Sequence, residues 1–296
     1  MCILVHMHTF MAYGIWISSL LGVMFVGAHF GIIADIHKEP MLTVVFLDVG
    51  QGDAIFVETP VGNRILIDGG AGNTLLGELD TYVALTDRSI DLVIETHPDL
   101  DHIGGFAPLI ERYSVDAYVR PRIDADTQIF ARIQELLDQH KIPIHYGVRG
   151  MRIHIDTMYG VYIDILHPRG NTQLNDRNAA SLVKQLVYGE TSFMLTGDAL
   201  IENEHEIIMM TDVDYIQSTV LKLGHHGSRT STSREFLHVV DPEVAIISAG
   251  KNNRYGHPHQ DVLDNLHFFN IPYRETAREG SIHFESNGQR IYTQLP

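Results

Sequence analysis

The chain has 296 residues, 45% hydrophobic and 20% charged, and its 37 acidic against 21 basic residues give a formal net charge of -16. That length and composition support a sizeable buried core, while the acidic balance excludes a generic polyanion binder: any nucleic-acid contact must come from a local basic patch or from bound cations. The one cysteine, Cys2, excludes an intrachain disulfide and leaves the compartment open.

Before Asp35 there is no Asp, Glu, Lys or Arg, and Phe10 to Ala34 is apolar apart from Ser18, Ser19 and His29. Such a run is long enough to cross a bilayer as a helix. Residues 1–40 are therefore expected to form a single membrane anchor, or an export signal with Val26-Gly27-Ala28 as its cleavage site, placing the protein at a membrane or on its extracytoplasmic (periplasmic) side. From Met41 the composition becomes that of a soluble domain. Leu42 to Val49 and Ala54 to Thr59 read as strands joined by Gly50-Gln51-Gly52-Asp53, and a turn at Pro60-Val61-Gly62-Asn63 leads to a third strand, Arg64 to Ile67, ending in Asp68-Gly69-Gly70.

The most informative stretch follows. Ile90 to Glu95 reads as a buried strand, and it runs into Thr96-His97-Pro98-Asp99-Leu100-Asp101-His102-Ile103-Gly104-Gly105. Pro98 forbids continuing the strand, and Phe106, Leu109 and Ile110 at helical spacing open a helix, so four potential ligands fall on a strand-to-helix loop. Carboxylates brought together raise one another's pKa unless a cation compensates, so the cluster points to a divalent metal.

Beyond it, strands and helices alternate. Val115 to Val119 and Ile142 to Tyr146 read as strands around an amphipathic helix, Asp126 to His140, and Gly150 to Leu166 as an antiparallel meander. After a polar loop, Asn171 to Asn178, a hairpin (Ala180 to Val187, Ser192 to Leu195) turns over Gly189-Glu190 and ends in Thr196-Gly197-Asp198. A helix containing Glu204, Ile207 and Ile208 precedes a strand, Val220 to Leu223, that runs into Gly224-His225-His226-Gly227-Ser228. Thr232 with Glu235 three residues later reads as a capping box. The strand Val244 to Ile247 discharges into a loop from Ser248 to His259, and a helix from Val262 to Phe269 and strands near Ile282 and Ile291 finish the chain. Nothing divides residues 41–296.

Every His- or Asp-bearing loop thus follows a buried strand. In layered α/β folds such loops collect at one sheet edge, which would gather Asp68, the 97–102 loop, Asp198, the His225-His226 pair and His257. Two metals roughly 3.5–4 Å apart need a shared carboxylate, a role suited to an isolated Asp such as Asp198.

These motifs, in order, are Asp48-Val49-Gly50-Gln51-Gly52-Asp53-Ala54, Asp68-Gly69-Gly70, the Thr96–Gly105 loop, Asn178-Ala179-Ala180-Ser181-Leu182-Val183, Thr196-Gly197-Asp198, His225-His226-Gly227-Ser228 and Gly256-His257-Pro258-His259. From about Met41 onward the chain resembles the metallo-β-lactamase superfamily, and within it the ComEC/Rec2 type. The resemblance implies an α/β fold, a four-layer αββα sandwich over residues 41–296 preceded by the N-terminal hydrophobic helix. It also implies a hydrolase using a water bridged between two divalent ions, Zn2+ or Mn2+. By position, His97 and Asp99 would hold one metal, Asp101 and His102 the other, and Asp198 would bridge them. His225, His226 and His257 would complete the shells, and Asp101, His225 and His226 are the catalytic candidates.

Two departures stand out. Asp99 replaces the superfamily's usual His, which hardens the site toward manganese, and the usual mid-chain His ligand has no counterpart, Asn178 and Ser181 occupying its neighbourhood. Asn178, Ser181, Ser228, Lys251 and Arg254 are expected to bind substrate, with Lys222 and Arg229 as further phosphate-positioning cations. The implied substrate is DNA or another phosphodiester in a DNA-uptake (competence) setting, beside a polytopic channel and a membrane engaged through residues 10–34. The alternatives are a free-standing hydrolase of a small ester, lactone, thioester or nucleotide, and a non-catalytic DNA-uptake accessory.

Overall fold

Along Leu42–Phe46 (β1), Val45 packs into one hydrophobic cluster while Val44 and Phe46 pack into another. Ile55–Glu58 (β2), Arg64–Ile67 (β3) and Ser89–Ile94 (β4) repeat the pattern: Phe56, Leu66 and Val93 point one way, and Ile55, Val57, Ile65, Ile67, Leu92 and Ile94 the other. Side chains alternate across a strand, so strands apolar on both faces require a sheet covered on both sides. A computed structural model describes residues 39–84, 86–170 and 176–293 and shows that arrangement. The anchor or signal expected at 10–34 and most of the polar loop expected at 171–178 lie outside the described residues. No helix among the described residues is long and apolar enough to cross a membrane.

The first sheet has eight strands in the order β15-β14-β1-β2-β3-β4-β5-β6, adding Ser114–Arg120 (β5), Ile144–Tyr146 (β6), Ile282–Ser286 (β14) and Ile291–Thr293 (β15). The second has seven in the order β13-β12-β11-β10-β9-β8-β7: Arg152–Asp156 (β7), Val161–His167 (β8), Val183–Tyr188 (β9), Thr191–Leu195 (β10), Val220–Lys222 (β11), Val244–Ile247 (β12) and Tyr273–Glu275 (β13). The sheets face each other across a shared core containing Phe46, Ile65, Leu186, Phe193 and Phe284.

Helices cover the outer faces. Thr74–Leu79 (α1), Leu100–Ile103 (α2), Phe106–Ile110 (α3) and Gln128–His140 (α4) pack on the first sheet through Leu75, Ile103, Phe106, Ile133 and Leu137. Ile201–Met210 (α5), Val213–Ile216 (α6), Arg234–Val240 (α7) and Gln260–Phe268 (α8) pack on the second through Ile207, Ile216, Phe236, Val262 and Leu266. Helix, sheet, sheet, helix is the four-layer αββα sandwich that the family resemblance implies.

In both sheets one side runs parallel out to its edge strand, β3-β4-β5-β6 and β10-β11-β12-β13. The ends of β3, β4, β10, β11 and β12 deliver Asp68, His97, Asp198, His225-His226 and the loop to His257 in turn. Three readings need adjustment. Asp101 and His102 lie on the single turn α2 rather than on a loop. The helix after the His225-His226 loop is capped by Ser233, whose side chain accepts from the Phe236 N–H at 3.1 Å, and not by Thr232, which is held left-handed at φ 61°. The pairing of β13 beside β12, and helices α1, α6 and Thr276–Glu279 (α9), carry too little periodicity to be read from the sequence.

Candidate metal centre

Four histidine rings turn toward one carboxylate. His102 Nε2 lies 3.2 Å from Asp198 Oδ1, while His226, His97 and His225 place Nε2 at 3.5, 3.8 and 3.8 Å from Asp198 Oδ2. Asp101 Oδ2 is 3.4 Å from His226 Nε2, and Asp99 Oδ2 is 3.7 Å from His97 Nε2. His97, His102, His226 and Asp198 are almost completely buried, and His225 lies at the mouth.

The backbone is bent to make this approach. His225 and His226 are consecutive left-handed residues, φ 48° and 57°, held by the His225 N–H donating to Gly197 O at 3.1 Å. Side chains disfavour that region, and strain of this kind is retained where the surrounding structure enforces it. Gly52 permits a second approach: a Cβ there would stand 2.0 Å from the Asp101 carbonyl oxygen, so the Gly50–Asp53 loop abuts α2 only because it lacks a side chain.

The tautomers follow from the partners of each Nδ1. His102 Nδ1 is 2.8 Å from Asp68 Oδ2, and His226 Nδ1 is 2.9 Å from Ser248 O; both partners only accept, so each Nδ1 carries the proton. The Thr96 hydroxyl donates to Asp68 Oδ2 at 2.7 Å, so its oxygen accepts from His97 Nδ1 at 3.1 Å. Asp68 therefore orients one histidine directly and another through Thr96. In each ring a bare, buried Nε2 faces the carboxylates, and none of these three atoms, nor Asp198 Oδ1, has a hydrogen-bond partner. Lone pairs opposed to carboxylate oxygens repel unless a cation lies between them. The residues present fit a metal.

The protonation tendencies show the same demand for positive charge. Burial opposes charge on His102, but the Asp198 and Asp68 carboxylates outweigh it and raise its pKa well above the ordinary value. His226 is likewise pushed up to about 9 against burial by Asp198 and Asp53. His97, more affected by burial and by the charge on His102, falls to about 3.

The remaining expected residues divide sharply. His257 stays outside the set facing Asp198, its ring centroid 5.6 Å from that of His225 and 6.2 Å from that of His226. It lines a cavity of about 180 Å³ with Gln51, Asp99, Asp101, Asp198, His225, His226 and Tyr255. Lys251, Arg254 and Arg229 are exposed, Arg254 beside Tyr255 of the cavity wall, and Asn178 is half-buried on a turn next to Arg177. Ser181 and Ser228 are buried: Ser181 Oγ accepts from the Asp198 N–H at 3.1 Å, and Ser228 Oγ is bonded to the Thr230 hydroxyl at 3.0 Å. Both hydroxyls are engaged inside the protein rather than presented at the surface. Lys222 is fully buried against Asp53, so it is not a surface phosphate contact either.

Sequence reasoning missed Arg177, whose Nε pairs with Asp99 Oδ1 at 2.8 Å, and Tyr255, which stacks on His257 at 21° and a 5.6 Å centroid distance. It also missed Asp53, which groups with His102, Asp198 and His226 as a set able to hold a metal. Asp53 faces the Nδ1 sides of the two rings, 3.3 Å from His226 Nδ1, and already has the Lys222 ammonium, so the bare Nε2 side around Asp198 is the better cation site. A larger cleft of about 490 Å³, walled by Ile65, Leu92, Val119, Met151, Ile153 and Ile155 at another edge between the sheets, contains none of these groups.

A four-layer sandwich with a His/Asp cluster at the parallel-strand ends defines a metallo-hydrolase class, and residues 47–251 match the metallo-beta-lactamase superfamily. The chain belongs to that superfamily. It is 35% identical over 260 residues to ComE operon protein 3 of Bacillus subtilis, covering 81% of this chain and 32% of the relative. It is 31% identical over 261 residues to Recombination protein 2 of Haemophilus influenzae, covering 87% and 30%. The chain thus spans about a third of the length of these relatives. Among solved structures, the metallo-beta-lactamase fold protein YhfI from Bacillus subtilis superimposes with a TM-score of 0.57 at 12% identity, covering 83% of this chain and 100% of that one, a likeness of fold.

Proposed function

We propose that this domain is a two-metal phosphodiesterase that cleaves DNA during DNA uptake, at or beyond a membrane engaged through residues 10–34 and beside a polytopic channel. The observation that carries the hydrolase reading is the set of buried, partnerless Nε2 atoms of His97, His102 and His226 facing Asp198. The DNA substrate is supported by the relatives, whose names refer to a ComE operon and to recombination.

His97 and Asp99 would hold one divalent ion, Asp101, His102 and His226 a second, and Asp198 would lie between them; Zn2+ or Mn2+ suits the mixed N/O donors. Such ions supply Lewis acidity and an acidified water at neutral pH. Asp101, 29% exposed at its side chain, orients the attacking water from the pocket wall. His225 donates from Nδ1 to Thr230 Oγ1 at 3.1 Å, leaving Nε2 at the mouth to take a proton and return it to the leaving oxygen. Arg254 and Lys251 hold the flanking phosphates, and Tyr255 walls the pocket.

The test is hydrolysis by residues 41–296, loaded with Mn2+ or Zn2+, of single- and double-stranded DNA and of a small phosphodiester. Asp101→Ala and Asp198→Ala are expected to lower kcat at least about a hundredfold, with Asp198→Ala also losing bound metal on elemental analysis. Metal-loaded protein that leaves DNA and the small diester intact while opening a lactone or thioester refutes the phosphodiesterase.

A further inference from the structure

Beneath the metal-facing histidines lies a second layer of charge that catalysis does not touch. Asp53, Asp68, Lys184 and Lys222 are each no more than 1% exposed. Asp53 Oδ2 contacts the Lys222 ammonium directly, and its Oδ1 lies 3.3 Å from His226 Nδ1; Lys222 Nζ is also 3.4 Å from Gly197 O, one residue before Asp198. Lys184 Nζ donates to Leu182 O at 3.1 Å, within electrostatic reach of Asp68 and Asp53. A buried lysine needs a compensating partner, and a buried pair is often no more stable than an apolar one, so two lysines under one site call for a reason beyond folding.

The charge count supplies one. Asp99, Asp101 and Asp198 bring three negative charges, one of them paired with Arg177, so two divalent ions with a deprotonated water would leave the loaded site with one positive charge. Asp53, unpaired and one imidazole away, would cancel it. Resting on the metallo-hydrolase reading above, we propose that Lys222 is a positioning residue that neutralises Asp53 from the buried side. The loaded pocket thereby stays net positive and selects a singly charged phosphodiester over a neutral ester. Lys222 contacts neither metal nor substrate. Its effect passes through Asp53 and the His226 ring, where low polarisability strengthens the field of an uncompensated charge.

The test reads anion affinity rather than turnover: binding of inorganic phosphate to the Mn2+-saturated domain by calorimetry, with metal content measured alongside. Lys222→Met, which strands the Asp53 charge, is expected to weaken phosphate binding about tenfold at full metal occupancy. The neutral double variant Asp53→Asn/Lys222→Met is expected to return it to within about threefold of the parent, and Asp53→Asn alone, which retains the lysine, to tighten it several-fold. A double variant as weak as Lys222→Met, or a Lys222→Met protein equal to the parent, overturns the proposal. Should Lys222→Met fail to fold, the near-isosteric Asp53→Asn decides, and unchanged phosphate affinity there overturns it as well. A parent protein that shows this charge dependence yet cleaves no DNA refutes the phosphodiesterase and leaves the charge device standing. Cleavage with phosphate affinity indifferent to the Asp53–Lys222 charge does the reverse.

Discussion

Asp68 illustrates how much one side chain can set. Its Oδ1 accepts from the Thr96 N–H at 2.8 Å, while Oδ2 takes the Thr96 hydroxyl and the His102 Nδ1–H. With those bonds in place, His97 and His102 both present bare Nε2 atoms to Asp198. An amide here would aim a donor at one of these groups and disturb a ring. Asp68→Asn is expected to weaken metal affinity about tenfold to a hundredfold without unfolding the domain, as measured by competition with a chromogenic chelator. Tyr255 acts on the outside of the pocket. It is 47% exposed, stacked on His257, with the Arg254 guanidinium 4.9 Å from its ring centre. An exposed aromatic with an adjoining cation suits base stacking next to a phosphate. Tyr255→Ala is expected to raise the Kd for a short single-stranded oligonucleotide about tenfold and leave that for an abasic oligomer of equal length unchanged, by fluorescence anisotropy.

Among the elements, α7 shows that a helix start is a tertiary property as well as a local one. Ser233 caps it in the usual way, but the Thr232 and Ser233 N–H groups donate to Glu204 on α5, at 2.5 and 2.9 Å. Burial dominates at Glu204 and raises its pKa to about 7 despite these bonds. The folded protein therefore holds this proton more tightly than the unfolded chain. The Glu204 contribution to stability is complete below about pH 4.5 and is lost as pH rises toward 7. Glu204→Gln is expected to flatten that decline, so that the variant loses less stability than the parent between pH 5 and 8, by roughly 1–3 kcal/mol in urea titrations.

The molecule as a whole combines an acidic chain with a site that two divalent ions would make cationic. With a net charge of -16, it would gain little from long-range attraction to DNA, and the exposed cations on or beside the site loops are few: Arg177, Arg229, Lys251 and Arg254. Binding should then depend on the metals and a handful of phosphate contacts. The slope of log affinity against log salt for single-stranded DNA is expected to be shallow, about -2, and one several units steeper would mean a basic surface elsewhere.

The sequence by itself determined the layered α/β architecture, because strands apolar on both faces and alternating with helices have few other ways to bury their surface. It also singled out His97, Asp99, Asp101, His102, Asp198 and the His225-His226 pair as one group, which the structure brings together, since short spacing and repeated placement after buried strands are visible in one dimension. Only the tertiary structure decided which of the adjacent histidines is buried, because that depends on two left-handed residues and the carbonyl of Ser248. It likewise showed Ser181, Ser228 and Lys222, expected as substrate contacts, to be buried with partners inside the protein, and brought Asp53, Arg177 and Tyr255 to the site. Those assignments rest on contacts between residues distant in the chain, where burial and partner geometry, not residue type, fix what a side chain does.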